Sequence, residues 1–90
     1  MWFEWDETKA ARNLVKHGVS FEEAKTVFGD PLSDTFNDPD HSRDEHRFII
    51  IGISERGRML IVAHTDEHEA IRIVSAREPT RGEIKFYEES

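Results

Sequence analysis

Ninety residues with 12 Lys and Arg against 19 Asp and Glu give this chain a formal net charge of -7. A chain of this length forms one domain around one core, so we expect a single domain over residues 1–90. The lack of cysteine excludes disulfides, thiolate nucleophiles and cysteine-ligated zinc, and the acidity argues against a general nucleic-acid coat.

The N-terminal half predicts a short strand followed by two helices. Residues 2–5 are aromatic and extended, and apolar residues at helical spacing predict a helix over residues 7–17, which Gly18 ends. A second helix follows directly, with Ser20 as its N-cap and Glu23 completing a capping box.

The C-terminal half predicts a run of strands. We expect strands over residues 32–36, 45–54, 58–65 and 70–77, and a terminal helical turn over residues 83–87. The order β-α-α-β-β-β-β-α predicts an α+β fold with two N-terminal helices on one face of a mainly antiparallel sheet. No apolar run is long enough to span a bilayer, so we expect a cytoplasmic protein without membrane contact.

The last predicted strand contains an arginine near each end, Arg72 and Arg77. A guanidinium binds phosphate or carboxylate in a two-pronged manner, so these residues fit either an anion site or ion pairs with the many acids. Strict alternation along a strand predicts that Arg72 and Arg77 face opposite sides of the sheet.

Several segments of the chain, in the same order, resemble the BrnT family of bacterial toxins. The early segments are Phe3-Glu4-Trp5-Asp6, then Lys9 and Asn13, then KHGVSFEEA over residues 16–24. The later ones are Glu45-His46-Arg47, Ile51-Gly52, Gly57-Arg58 and RIVSAR over residues 72–77. One departure from the family pattern is Ile84 after Glu83, where members usually have arginine.

This resemblance implies a RelE-like fold and a ribonuclease toxin of a type II toxin-antitoxin system that blocks translation. It also implies an RNA substrate and a BrnA-like antitoxin with a ribbon-helix-helix domain, so that DNA is contacted only through the antitoxin. The net charge of -7 suits a basic partner of this kind.

Metal-independent RNA cleavage needs a base, an acid and cations near the phosphorus. Within the resembling segments, Arg77 is the leading candidate for a phosphate clamp, supported by Arg47 and Arg72. His17 and Glu45 are candidates for proton transfer. Ser75, Tyr87 and Lys9 are candidate substrate contacts. We expect no cofactor and no metal site, because the histidines form no ligand signature.

These residues also have structural interpretations. His17 beside Gly18 fits a residue that satisfies helix-end carbonyls better than a catalytic one, and Glu45 with Arg47 equally fits a salt bridge. The alternative function is therefore a non-catalytic, partner-binding module with the toxin fold and a co-repressor role. A clustered cationic site on an otherwise acidic surface favours the ribonuclease, whereas Arg77 paired to a carboxylate favours the alternative.

Overall fold

The fold, seen in a computed structural model, has the predicted order of elements and the predicted α+β class. The structure describes residues 2–38 and 46–89. The elements are β1 (Trp2–Glu4), α1 (Glu7–His17), α2 (Phe21–Thr26) with a 3-10 turn (Val27–Gly29), β2 (Asp34–Asn37), β3 (Arg47–Ile53), β4 (Met59–Glu67), β5 (Ala70–Arg77) and α3 (Arg81–Glu88). Over the described residues, no helix is both long and apolar enough to cross a membrane.

The five strands form one sheet in the order β1-β5-β4-β3-β2. The pairs β2–β3, β3–β4 and β4–β5 are antiparallel, and β1 runs parallel to β5. The prediction of a mainly antiparallel sheet is confirmed. The parallel strand arises because the chain crosses over through the two helices and the other strands before β5 returns beside β1.

Both N-terminal helices begin at capping side chains. Asp6 accepts the Lys9 backbone N–H at 3.0 Å, and Gly18 ends α1 in the left-handed region at φ 69°. Ser20 accepts the Glu23 backbone N–H at 3.0 Å. The predicted box at α2 is only half formed, because the Glu23 carboxylate turns into the protein. The complete capping box lies in α3, between Thr80 and Glu83.

The core lies between α1, α2 and one face of the sheet. Its buried members come from the helices, their connection and the three long strands: Val19, Phe21, Ala24, Val27, Ile50, Leu60, Val62, Ile73 and Ala76. Each large side chain of this kind contributes about 1.5–3 kcal/mol on burial. The opposite face of the sheet, which we call the open face, is free of α1 and α2.

A β-bulge changes which side chains of β5 reach the open face. The register with β4 shifts at Ala63/His64, which leaves Val74 as an extra residue in β5. Ile73 and Ala76 therefore both point into the core, although they are three residues apart. Arg72 and Arg77, each next to one of them, both lie on the open face. The prediction from strict alternation that they face opposite sides is wrong.

Asn13 closes the edge of β5 that β1 leaves uncovered. β1 pairs only with Ala70, Ile71 and Arg72. Beyond them, the Asn13 side chain donates to the Ala76 carbonyl at 2.8 Å and accepts the Ala76 N–H at 3.1 Å, which imitates a paired strand. Because Asn13 belongs to α1, this contact fixes the helix along the edge of the sheet.

Candidate functional site

Three of the predicted arginines lie together on the open face. Arg47 pairs with Thr65 across β3 and β4, and Thr65 pairs with Arg72 across β4 and β5, so the three residues form a row. Two strand spacings place the Cα atoms of Arg47 and Arg72 about 10 Å apart. Arg77 lies farther along β5 on the same face, about 13 Å from Arg72 by strand rise.

Arg77 holds a carboxylate in the two-pronged manner. Its Nη1 and Nη2 donate to the Glu83 Oε1 and Oε2 at 2.7 and 2.8 Å. Both side chains are partly exposed, 39% for Arg77 and 31% for Glu83. The hydrogen bonds with Arg77, followed by that from the Thr80 backbone, lower the pKa of Glu83 to about 2. A carboxylate of such low basicity is a poor proton acceptor near neutral pH, so Glu83 fits a binding partner of Arg77 better than a general base.

Tyr87 belongs to the same group of side chains on the open face. Its ring centroid lies 5.4 Å from that of Phe36 on β2, which places α3 over one end of this face. Burial and the Glu83 charge raise the pKa of the Tyr87 hydroxyl, whereas the Arg77 charge lowers it. The hydroxyl therefore stays protonated at neutral pH and can donate a hydrogen bond.

Arg72 and Arg47 have different surroundings from Arg77. The Arg72 Nη1 lies 3.9 Å from a Glu4 carboxylate oxygen, at the outer limit of an ion pair, and the Arg72 side chain is 41% exposed. Arg47 is half-buried at the start of β3, and its carbonyl accepts the Asp38 N–H at 2.9 Å. Glu45, the predicted base beside Arg47, lies outside the described residues.

Lys9, His17 and Ser75 come together around one cavity. The cavity has a volume of about 270 Å³ and lies between α1 and β5; Lys9, Arg12, Asn13, Lys16, His17, Val74 and Ser75 line it. His17 is the last residue of α1 and is half-buried there. The sequence predicts these three residues as separate candidates, and the packing of α1 along β5 brings them together.

In the part of the chain that the structure describes, no three side chains of the metal-binding types cluster. The cationic groups can instead surround an anion at two connected places, the arginines of the open face and the cavity beside α1. Ser75 links the two, because it pairs with Ala63 on the open face and also lines the cavity.

Sequence reasoning missed four residues of this region. Arg12 and Lys16 line the cavity, Asn13 holds α1 beside it, and Glu83 binds Arg77. For three of these four residues, Arg12, Lys16 and Glu83, the sequence contains a local pattern that indicates their role. Lys9, Arg12 and Lys16 have the spacing of one helix side, and Thr80 followed by Glu83 has the spacing of a capping box. The pairing of Asn13 with Ala76, 63 residues away, has no local signal.

Comparisons with known proteins give the family from a sequence profile and the fold from a solved structure. The profile of a family described as "Ribonuclease toxin, BrnT, of type II toxin-antitoxin system" matches residues 5–83. Among solved structures, the 1.1 Å crystal structure of the Brucella abortus ribonuclease toxin BrnT is similar, with a TM-score of 0.70 and 23% sequence identity. The alignment covers 90% of this chain and 99% of that one. A search of curated protein sequences gives no match.

Proposed function

The chain belongs to the BrnT family of ribonuclease toxins of type II toxin-antitoxin systems, and from this premise we propose that it cleaves RNA internally at the open face of its sheet. The observation that carries the proposal is that Arg47, Arg72 and Arg77 lie on that one face: the bulge in β5 places Arg72 and Arg77 there, and the register of β3 with β4 places Arg47 there. On a protein with a net charge of -7, such a cluster favours an anionic ligand.

In the proposed reaction, the side chains of this chain supply the whole of the chemistry. Arg77, with Arg72 and Arg47, stabilises the charge that develops on the phosphate as the 2'-hydroxyl attacks. Ser75, Tyr87 and Lys9 bind phosphate groups of the RNA by hydrogen bonds and charge. His17 donates the proton to the leaving 5'-oxygen, and Glu45 accepts the proton of the attacking hydroxyl. This scheme requires no metal ion or cofactor.

We further propose that the activity blocks translation in the cytoplasm and that a BrnA-like antitoxin with a ribbon-helix-helix domain holds it inactive. The acidic surface supports a basic partner, because opposite net charges accelerate association. Co-expression followed by size exclusion tests the partner, and we expect co-elution at moderate salt, with two copies of each chain. Separate elution contradicts this part of the proposal.

One observation favours a second candidate function, the non-catalytic partner-binding module. The Arg77 guanidinium already has both of its terminal nitrogens on Glu83, so a phosphate has to displace or share that carboxylate. If the displacement does not occur, the fold binds an antitoxin and represses transcription with it, without cleaving RNA.

Cleavage of labelled RNA by the purified chain in the presence of a chelator separates the two candidates. We expect cleavage by the wild type and a rate about 10²- to 10⁴-fold lower for His17→Ala, since general acid catalysis contributes that much. If His17 only completes the helix end, the variant loses roughly 1 kcal/mol of unfolding free energy and keeps its rate. The absence of cleavage by a folded wild type contradicts the ribonuclease and leaves the second candidate.

A further inference from the structure

The basic side chains of α1 have different surroundings from three arginines elsewhere in the fold. Arg58, Arg72 and Arg77 each lie within 4 Å of a glutamate. Within residues 2–38 and 46–89, no carboxylate lies within that distance of the side chains of Lys9, Arg12 or Lys16. The chain has seven more acids than bases, yet these cations form no ion pair with an acid of the described residues, which leaves them available to an external anion.

The three cations line one side of the helix. Residues three and four positions apart in a helix are neighbours, so Lys9, Arg12 and Lys16 form a row about 10 Å long. The only acid within α1 is Glu7, at its first position. The row borders the cavity between α1 and β5, with His17 at its far end.

The row is continuous with the open face. Ser75 belongs to both places, and Asp6 at the start of α1 interacts electrostatically with both Lys9 and Arg72. The pKa of the Asp6 carboxyl is lowered, first by the hydrogen bond from the Lys9 backbone and to a smaller extent by the charges of Lys9 and Arg72. A polyanion bound at Arg72 and Ser75 can therefore continue onto α1, where the row supplies the next positive charges.

We propose that the α1 row, defined as Lys9, Arg12 and Lys16, binds the backbone of the RNA that flanks the scissile phosphate. The proposal rests on the proposed ribonuclease function and adds a path for the substrate: the phosphate that reacts lies on the open face, and its neighbours lie along α1. Arg12 and Lys16 are then substrate-binding residues that do not touch the reacting atoms.

The features of the row favour a nucleic-acid backbone over an acidic protein segment. Three cations of regular spacing match a repeating charge, and the row joins a site already built from arginines for phosphate. The exposed apolar residues of the same helix, Leu14 and Val15, do not line the cavity. An acidic protein segment needs apolar side chains beside its charges, and among the residues that line this cavity only Val74 has an apolar side chain.

The test measures RNA binding separately from RNA cleavage. The probe is a single-stranded RNA oligonucleotide with 2'-O-methyl groups, which lack the attacking hydroxyl, and its affinity is measured over a range of salt concentrations. We expect the double variant Arg12→Gln/Lys16→Gln to lower the slope of log affinity against log salt by about 1.4, because each single-strand phosphate contact contributes about 0.7.

A matched control removes two positive charges elsewhere. Lys25→Gln/Arg56→Gln changes the net charge equally at residues that do not line the cavity, and we expect its slope to equal that of the wild type. Equal slopes for the two double variants, both folded by circular dichroism, overturn the proposal. So does a loss of antitoxin co-elution by Arg12→Gln/Lys16→Gln with unchanged RNA binding, which assigns the row to a protein partner. If the wild type binds the probe but cleaves no RNA, the proposed ribonuclease function is contradicted, whereas the proposed RNA binding by the α1 row is not.

Discussion

The two Arg–Glu pairs at opposite faces of the sheet have nearly the same geometry and different surroundings. Arg58 donates from Nε and Nη2 to Glu23 at 2.7 and 2.6 Å, and Arg77 donates from Nη1 and Nη2 to Glu83 at 2.7 and 2.8 Å. The Glu23 side chain is 3% exposed, whereas that of Glu83 is 31% exposed.

The buried pair connects elements that are distant in sequence. Arg58 also donates to the Gly18 carbonyl at 2.9 Å and lies 3.3 Å from a Glu78 carboxylate oxygen, and Glu23 accepts the Ser54 hydroxyl at 2.8 Å. The Arg58 hydrogen bonds, followed by that of Ser54, outweigh burial and hold the pKa of Glu23 below its usual range. All three guanidinium nitrogens of Arg58 donate hydrogen bonds within the fold, so this pair supports structure.

The pair on the open face connects residues only six positions apart, at the junction of β5 and α3. Solvent reaches both side chains, and an anion can approach the arginine without opening the core. The comparison shows that the same two residue types serve the fold when water is excluded and remain available for a ligand when it is not. The four predictions below test this difference.

The largest expected effect is at the buried pair. Arg58→Ala leaves the Glu23 carboxylate buried without its guanidinium, and we expect a loss of about 3–5 kcal/mol in unfolding free energy. The measurement is the denaturant midpoint. The control is Arg56→Ala, which removes an exposed arginine 3.8 Å from the same Glu23 and should cost less than about 0.5 kcal/mol. Equal losses for the two variants contradict the structural role of Arg58.

At the open face we expect the reverse outcome, a loss of rate with little loss of stability. Arg77→Ala should lower the rate of RNA cleavage a hundredfold or more, which corresponds to about 3 kcal/mol of transition-state stabilisation. The unfolding free energy, measured from the denaturant midpoint, should fall by at most about 1 kcal/mol. Arg81→Ala, an exposed arginine at the start of α3, serves as the control for rate. A folded Arg77→Ala protein as active as the wild type removes Arg77 from the site.

A third prediction concerns the pH dependence of the unfolding free energy, which we attribute to a core histidine and not to the two Arg–Glu pairs. His64 is buried between Phe28 and Phe48, and its Nδ1 lies 2.9 Å from an Asp66 carboxylate oxygen. Burial lowers the pKa of His64, and Asp66 opposes this only in part. The unfolded chain therefore binds a proton near pH 6.5 that the folded chain does not.

Because the unfolded state binds more protons in this window, stability is full above about pH 6.5 and falls as the pH decreases toward the lowered pKa of His64. The slope for one proton is at most about 1.4 kcal/mol per pH unit. Down to about pH 5 the two paired glutamates, whose pKa values are lowered, do not titrate. We expect His64→Leu to remove the slope and the exposed His68→Asn to keep it; a slope that survives in His64→Leu assigns the proton to another group.

The smallest effect on stability is expected for Glu83→Gln, since half-exposed pairs contribute about 1 kcal/mol or less. The variant frees the Arg77 guanidinium, so we expect tighter binding of the 2'-O-methyl RNA probe and a salt slope steeper by about 0.7. The control Glu78→Gln removes an acid beside Arg58 and should leave the slope unchanged. Unchanged RNA binding by Glu83→Gln favours the non-catalytic module, in which Arg77 and Glu83 form a structural pair.

The sequence by itself determined the elements and their order. Local signals such as Asp6 before α1, Gly18 after it and the β-branched run of β5 depend on neighbouring residues only, so the limits of α1 and β5 were predicted as observed. The segments that resemble the BrnT family likewise identified the family, because they are read directly along the chain.

Only the tertiary structure decided which side chains meet. The bulge that places Arg72 and Arg77 on one face depends on the register of β5 against β4, and the cavity of Lys9, His17 and Ser75 depends on the contact of Asn13 with Ala76. The predicted capping box of α2 has the same limit: the Glu23 carboxylate binds Arg58, 35 residues away, instead of the N-terminus of its own helix. Register and long-range pairing are set by how the whole core packs, which no local pattern of residues specifies.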